Sequence, residues 1–86
     1  MADPAPPRIT VLTRPGCHLC EAAVAVIAEV CADTGDQWVQ LDITDRPNLA
    51  GRYTDQIPVT FVDGAQHDYW RVDPTRLRAA LTARPR

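Results

Sequence analysis

Arg8-Ile9-Thr10-Val11-Leu12-Thr13-Arg14-Pro15-Gly16-Cys17-His18-Leu19-Cys20 decides the reading of this chain. Arg8 to Thr13 is a short run rich in β-branched residues, stopped by Pro15-Gly16, and it reads as a buried strand. Gly16 allows a tight turn. A helical pattern then starts at two cysteines spaced three apart. From Cys17 to about Asp33, Leu19, Ala22, Ala23, Val26, Ile27, Val30 and Cys31 recur at i, i+3, i+4, i+7 spacing, which predicts a helix with one apolar stripe. Glu21 in the first turn complements the helix dipole, and Gly35 is a plausible stop. A C-x-x-C at a helix start sets its first sulfur beside unpaired backbone N–H groups at the positive end of the dipole. That environment favours a thiolate, so Cys17 is expected to have a lowered pKa and to attack disulfides readily. Cys20, one turn further in, is close enough to close an intramolecular disulfide and release a bound partner.

Beyond this stretch, Gln37 to Ile43 alternates as a strand, with Trp38, Gln40 and Asp42 on one face and Val39, Leu41 and Ile43 on the other. As a parallel partner of the first strand it completes a right-handed β-α-β unit. Thr44-Asp45 offers an N-cap and Pro47 suits a first turn, so a short helix is expected over about Arg46 to Tyr53. Pro58 to Val62 reads as a third strand, with proline tolerated at its first position. Asp63-Gly64 predicts a primed hairpin turn into a fourth strand, Ala65 to Trp70. Tyr69 and Trp70, being adjacent, are expected to face opposite ways, one of them packing beneath the last helix, with His67 on the face of Tyr69. Asp73-Pro74 is a cap followed by proline at the first helical position, and Leu77, Ala80 and Leu81 give the last helix its apolar face. The tail from Thr82 is expected to fray.

The 86 residues suit one domain, and 45% hydrophobic residues suit a folded one. The domain is expected over 8–82, with an extended or disordered tail over 1–7, where Met1 to Pro7 is proline-rich, and a frayed end over 83–86. A net charge of -2 leaves no electrostatic footprint for nucleic acid, and all nine basic residues are arginine. Three cysteines are an odd number for a stapled secreted domain. No signal-peptide core and no apolar run of about 20 residues is present, so neither export nor membrane insertion is signalled, and a cytoplasmic location is expected. In a reducing compartment a C-x-x-C is catalytic, redox-active or metal-binding more often than structural. Cys31, on the apolar stripe, reads as a small buried hydrophobe.

The order β-α-β-α-β-β-α, with C-x-x-C where the first strand meets the first helix and Ile57-Pro58 opening the third strand, resembles the thioredoxin fold. More narrowly, LTRPGCHLCEAA, IPVTFVDG and HDYWRVDPTRLRAAL resemble the active-site segment, the cis-proline strand with its hairpin, and the last strand and helix of an actinobacterial branch of the glutaredoxin-like family. The likeness spans Arg8 to about Leu81. It implies an α/β, three-layer, glutaredoxin-type fold on a four-stranded mixed sheet. It implies that Cys17 is the exposed nucleophile, Cys20 the buried resolving thiol and Pro58 a cis-proline, with Ile57 offering its backbone to an extended substrate segment or a thiol tripeptide. The activity implied is thiol–disulfide exchange on protein or small-thiol disulfides. No cofactor is expected in the site, no metal is assigned to it, and the protein is expected to be a monomer.

The family pattern is not reproduced everywhere. Leu19 and His18 stand where glutathione-using members usually carry an aromatic residue and a proline. Arg71-Val72-Asp73 replaces a Gly-Gly pair before an aspartate, so only Asp73 remains of that tripeptide-holding feature, and it competes as a helix cap. Glutathione, a mycothiol-like thiol and a reductase all stay open as the electron donor. Arg14 could favour the thiolate or bind a substrate carboxylate, or simply be solvated. His18 could stabilise the thiolate when protonated, ligate zinc with Cys17, Cys20 and His67 or Cys31, or face solvent. A zinc module and a redox-inactive interaction domain are the rival readings, the first weakened by the lack of a second C-x-x-C.

Overall fold

A computed structural model describes residues 7–83, so most of the two expected end segments lies outside the described residues. The elements are β1 (Ile9–Thr13), α1 (His18–Thr34), β2 (Trp38–Asp42), a single 3-10 turn (Ile43–Asp45), α2 (Pro47–Tyr53), β3 (Val59–Val62), β4 (Ala65–Tyr69) and α3 (Pro74–Ala83). The sheet order is β2-β1-β3-β4, with β1 parallel to β2 and antiparallel to β3, and β3 antiparallel to β4. This is the mixed four-stranded sheet and the β-α-β-α-β-β-α order that the sequence implies.

Period-2 alternation sorts the strands between two cores. Ile9 and Val11 of β1 and Val62 of β3 join Ala23, Ile27, Val30 and Cys31 of α1 and Leu77 and Leu81 of α3. Leu12 and Val59 join Ile43, Ile57 and Cys20, with Leu49, Ala50 and Tyr53 of α2 packed against them. Helices α1 and α3 thus cover one face of the sheet and the shorter α2 the other. Tyr53 closes its side edge-on to Phe61, with ring centroids 5.7 Å apart.

Local chemistry sets most boundaries. Gly35 ends α1 in the left-handed region at φ 81°, its N–H donating to the Cys31 carbonyl at 2.8 Å. Asp63 and Gly64 both take positive φ, as a type I′ turn requires. Asp73 Oδ1 accepts from the N–H groups of Thr75 and Arg76 at 2.8 and 3.2 Å, capping α3. That helix runs to Ala83, the last of the described residues.

Three expectations need correction. Thr44-Asp45 does not cap α2; Asp42 instead accepts from the Thr44 N–H at 2.8 Å and starts the intervening 3-10 turn, which also holds its carboxyl below the usual range. Arg46 precedes α2 without a side-chain cap. In β4, Phe61 pairs with Gln66 and Thr60 with Asp68, so His67 is the extra residue of a β-bulge and its strict alternation with Tyr69 is broken. Finally, neither Tyr69 nor Trp70 packs beneath α3. Both are about half exposed, and Val72 with Leu77 fills that space.

Arg8 is a tie that the sequence does not announce. Its guanidinium grips both carboxylate oxygens of Asp63 at 3.0 and 2.9 Å, approaches Asp36 at 3.4 Å and donates to the Leu81 carbonyl at 3.0 Å. It thereby joins the start of β1, the hairpin, the end of α1 and α3. The Asp63 hydrogen bonds lead the causes that raise its pKa. Arg8→Ala removes the paired hydrogen bonds to Asp63 and the tie to the Leu81 carbonyl, and is expected to cost about 1.5–3 kcal/mol, read as a lower urea midpoint at unchanged slope.

Candidate functional site

The site is built where β1 hands over to α1. Gly16, at φ 71°, makes the turn, and Cys17 follows with extended backbone as the N-cap residue. Its sulfur does what a capping oxygen usually does: the Cys20 N–H, the third of the helix, donates to Cys17 Sγ at 3.1 Å. A negative sulfur at this point gains from that donor and from the helix dipole together. Cys17 and Cys20 are joined as a disulfide, with Cα atoms 5.1 Å apart. They differ in access, because Cys17 is half-buried while Cys20 is only 4% exposed. Packing therefore distinguishes the two sulfurs, one reachable from solvent and one covered.

The other predicted residues divide into those gathered here and those placed elsewhere. Ile57 is buried in the cluster that holds Cys20 and against which Cys17 packs, and the Ile57-Pro58 peptide bond is cis. Arg14 lines a cleft of about 280 Å³ with Pro15, Cys17, Cys20, Val24 and Gln40. The Gln40 amide is fixed there by donating to Thr13 Oγ1 at 2.9 Å. His18 projects fully into solvent, with Nδ1 3.5 Å from a Glu21 carboxylate oxygen. Asp73 is engaged as the α3 cap, and among the described residues no contact joins it to either sulfur.

The zinc arrangement considered above is not assembled. Cys31 is buried in the core between the sheet and α1/α3, and among the described residues no group of three His, Cys, Asp or Glu side chains is placed to hold a metal ion. Burial, helped by the Asp36 charge, pushes the Cys31 thiol pKa up, so it stays protonated at neutral pH. In the oxidised native protein Cys31 is expected to resist iodoacetamide at pH 8 and to react once urea is added. Because its folded pKa is raised, the stability it contributes is complete below the ordinary thiol range near ~8.5 and declines as pH rises through the folded value. The stability margin of the wild type over Cys31→Ala is therefore expected to narrow only in alkali.

The sequence reading placed Trp70 at the end of β4, with either it or Tyr69 packing beneath α3. The residue leaves β4 in the left-handed region at φ 65°, its indole N–H donating to the Asp55 carbonyl at 2.9 Å and its backbone N–H to the Pro58 carbonyl at 2.7 Å. Tyr69 meets its ring edge-on at 5.0 Å. No local sequence signal marks this aromatic ledge; the bulge and left-handed residue that build it depend on the pairing of β4.

The sheet order, the helical layers and the cysteine pair at the head of α1 define a thioredoxin-fold domain. A solved thioredoxin from Fasciola hepatica superimposes with a TM-score of 0.58 at 16% identity over 87% of this chain and 77% of that one, a likeness of fold alone. The chain belongs to the glutaredoxin-like domain family (DUF836), whose model matches residues 8–82. It is similar to the uncharacterized protein Rv0508 of Mycobacterium tuberculosis, at 36% identity over 87% of this chain and 82% of that protein. The X-ray structure of protein XcR50 from X. campestris aligns with a TM-score of 0.73 and 31% identity over 90% of this chain and 99% of that one. The solution structure of Ne2328 from Nitrosomonas europaea aligns with a TM-score of 0.74 and 26% identity over 94% and 99%. Among the described residues no helix is long and apolar enough to cross a membrane.

Proposed function

We propose that this protein is a thiol–disulfide oxidoreductase of the glutaredoxin/thioredoxin type. The observation that carries the reading is the asymmetry of the pair, a half-buried Cys17 sulfur capping α1 and a buried Cys20 sulfur one turn behind it. In the reduced protein the Cys17 thiolate attacks one sulfur of a client disulfide. The client S–S bond breaks, its second sulfur leaves as a thiolate, and a Cys17–client mixed disulfide forms. Cys20, having given its proton to solvent, attacks Cys17 Sγ and expels the first client sulfur. Two electrons have passed to the client, and the protein holds the Cys17–Cys20 disulfide. An external thiol such as glutathione or a mycothiol-like thiol, or a reductase, then returns the dithiol. The chain supplies position and electrostatics and needs no resident cofactor. Arg14 shares the cleft with Cys17, and Ile57 packs in the buried cluster beneath the pair; the cytoplasm is the compartment in which such a reductant is available.

The test is equilibration of the protein in graded thiol/disulfide buffers, scored by thiol labelling and mass. A single two-electron transition between roughly -180 and -270 mV is expected, the range of working exchangers. A pair that never forms the disulfide under these conditions would overturn the proposal.

A further inference from the structure

The second step of exchange asks something of Cys20 that its surroundings resist. Its thiol must lose a proton before the sulfur can attack, yet Cys20 is buried, and a thiol withdrawn from water ionises reluctantly. The cluster that covers it is built on Leu12, Ile43, Ile57 and Val59, and among the described residues it holds no carboxylate and no imidazole. Tyr53, packed against that cluster edge-on to Phe61, adds only a phenol, a far weaker proton acceptor than a carboxylate.

The cleft that both cysteines line is different in kind. Gln40 of β2 pairs with Val11, whose side chain lies in the core under α1, so the cleft opens between the first turns of α1 and the border strand β2. At about 280 Å³ it has room for several waters, and its polar walls give them partners. Gln40 is the fixed wall. Its Nε2 donates to the buried Thr13 Oγ1 at 2.9 Å, while its Oε1 has no protein partner among the described residues and is free to accept from a water. Glu21, the residue after Cys20, is the mobile wall, its side chain largely in water with a carboxylate oxygen 3.5 Å from His18 Nδ1. Arg14 is the other charged group of the lining, and Asp42, next on that face of β2, is held on the Thr44 N–H.

Resting on the oxidoreductase reading, we propose that this cleft is the exit for the Cys20 proton, with Glu21 as its acceptor and Gln40 as the positioning residue. In the Cys17–client mixed disulfide, a water held by Gln40 Oε1 takes the proton of the Cys20 thiol and passes one of its own to the Glu21 carboxylate. The Cys20 sulfur attacks Cys17 Sγ, the Cys17–client S–S bond breaks, and the client sulfur leaves as a thiolate. Glu21 then gives the proton up to solvent. A role through charge alone has the opposite sign. A carboxylate near Cys20 opposes a second negative charge, so neutralising it would speed the step, whereas removing an acceptor slows it.

The probe is 2,2′-dithiodipyridine, a neutral disulfide that brings no carboxylate of its own, mixed with pre-reduced protein while pyridine-2-thione release is followed by stopped flow. Attack by Cys17 releases the first equivalent at a rate proportional to the probe, and closure by Cys20 releases the second at a rate independent of it. Glu21→Gln is expected to slow the second phase about tenfold, within the reach of general-base assistance, and to leave the first within about twofold. Gln40→Leu is expected to slow the second phase in the same selective way. The wild-type second phase should stay nearly flat between about pH 6 and 8, whereas in Glu21→Gln it should climb about tenfold per pH unit as hydroxide takes over. Adding Gln40→Glu to Glu21→Gln sets a carboxylate on the opposite wall and is expected to recover most of the loss. A second phase that is unchanged or faster in Glu21→Gln, or both phases slowed in equal proportion, would overturn the proposal while leaving the exchange activity intact. No thione release by the wild type, or a first phase undiminished in Cys17→Ser, would instead overturn the oxidoreductase reading beneath it.

Discussion

Cys17→Ser is expected to abolish disulfide exchange, with turnover falling by at least about a thousandfold, while the fold stays intact. The hydroxyl of serine is far too weakly acidic to supply the nucleophile at neutral pH, yet it can accept the Cys20 N–H as the sulfur does, and serine is among the preferred N-cap residues. Compared in their reduced forms, the two proteins should therefore unfold within about 0.5 kcal/mol of each other. Cys20→Ser should fail differently. Attack by Cys17 still proceeds, but no internal thiol follows to expel the client sulfur. A Cys17–client mixed disulfide accumulates, visible as an added mass that a small thiol removes. Equal turnover in Cys17→Ser and the wild type, or no trapped adduct in Cys20→Ser, would contradict the division of labour assigned to the two sulfurs.

Ile27→Ala is expected to be the most damaging single change outside the site. Ile27 is 0% exposed and lies in the core shared by α1, β1 and α3. Truncation removes its buried methylenes and leaves a cavity that backbone on three sides cannot fill, costing about 3–4 kcal/mol. For a domain of this size that is a large share of a total stability of about 4–13 kcal/mol. Urea unfolding of reduced protein measures it. Ala25→Ser on the exposed side of the same helix is expected to change stability by less than about 1 kcal/mol, and a similar loss from both would show that the core has been placed wrongly.

Much of this architecture was legible because short-range chemistry sets it. The run from Ile9 to Thr13, the stop at Pro15-Gly16, the Gly35 terminus, the Asp63-Gly64 turn and the Asp73 cap each depend on residues a few positions apart, and each stands where the sequence put it. The same is true of the position of the cysteine pair at the head of α1, although the capping role of the Cys17 sulfur was not read. What escaped depends on partners distant in the chain. Leu19 and Ala22 satisfy the helical period, yet they lie on the part of α1 that faces the 70–72 segment across an open groove rather than the closed core. Trp70 has the composition of a strand residue, but the bulge at His67 and the end of pairing at Tyr69 turn it out to the surface. Arg8 finds Asp36, Asp63 and the Leu81 carbonyl only once the sheet has formed. The cysteine pair is thus written locally, whereas the exposed apolar surface of the 69–72 segment is a product of tertiary pairing.

The sheet order leaves β2 and β4 as its two borders, and β4 is closed to outsiders by its own irregularity. An unpaired strand edge is a template on which another chain can add and begin a growing aggregate. Here the extra residue at His67 throws the outer row of peptide groups out of step, the charged Asp68 follows at once, and the left-handed turn at Trp70 ends the strand. A straight incoming strand would find no run of evenly spaced donors and acceptors to match. The kink that exposes the aromatic ledge thus also protects the small domain from edge-to-edge polymerisation, allowing an apolar surface to persist beside a sheet border.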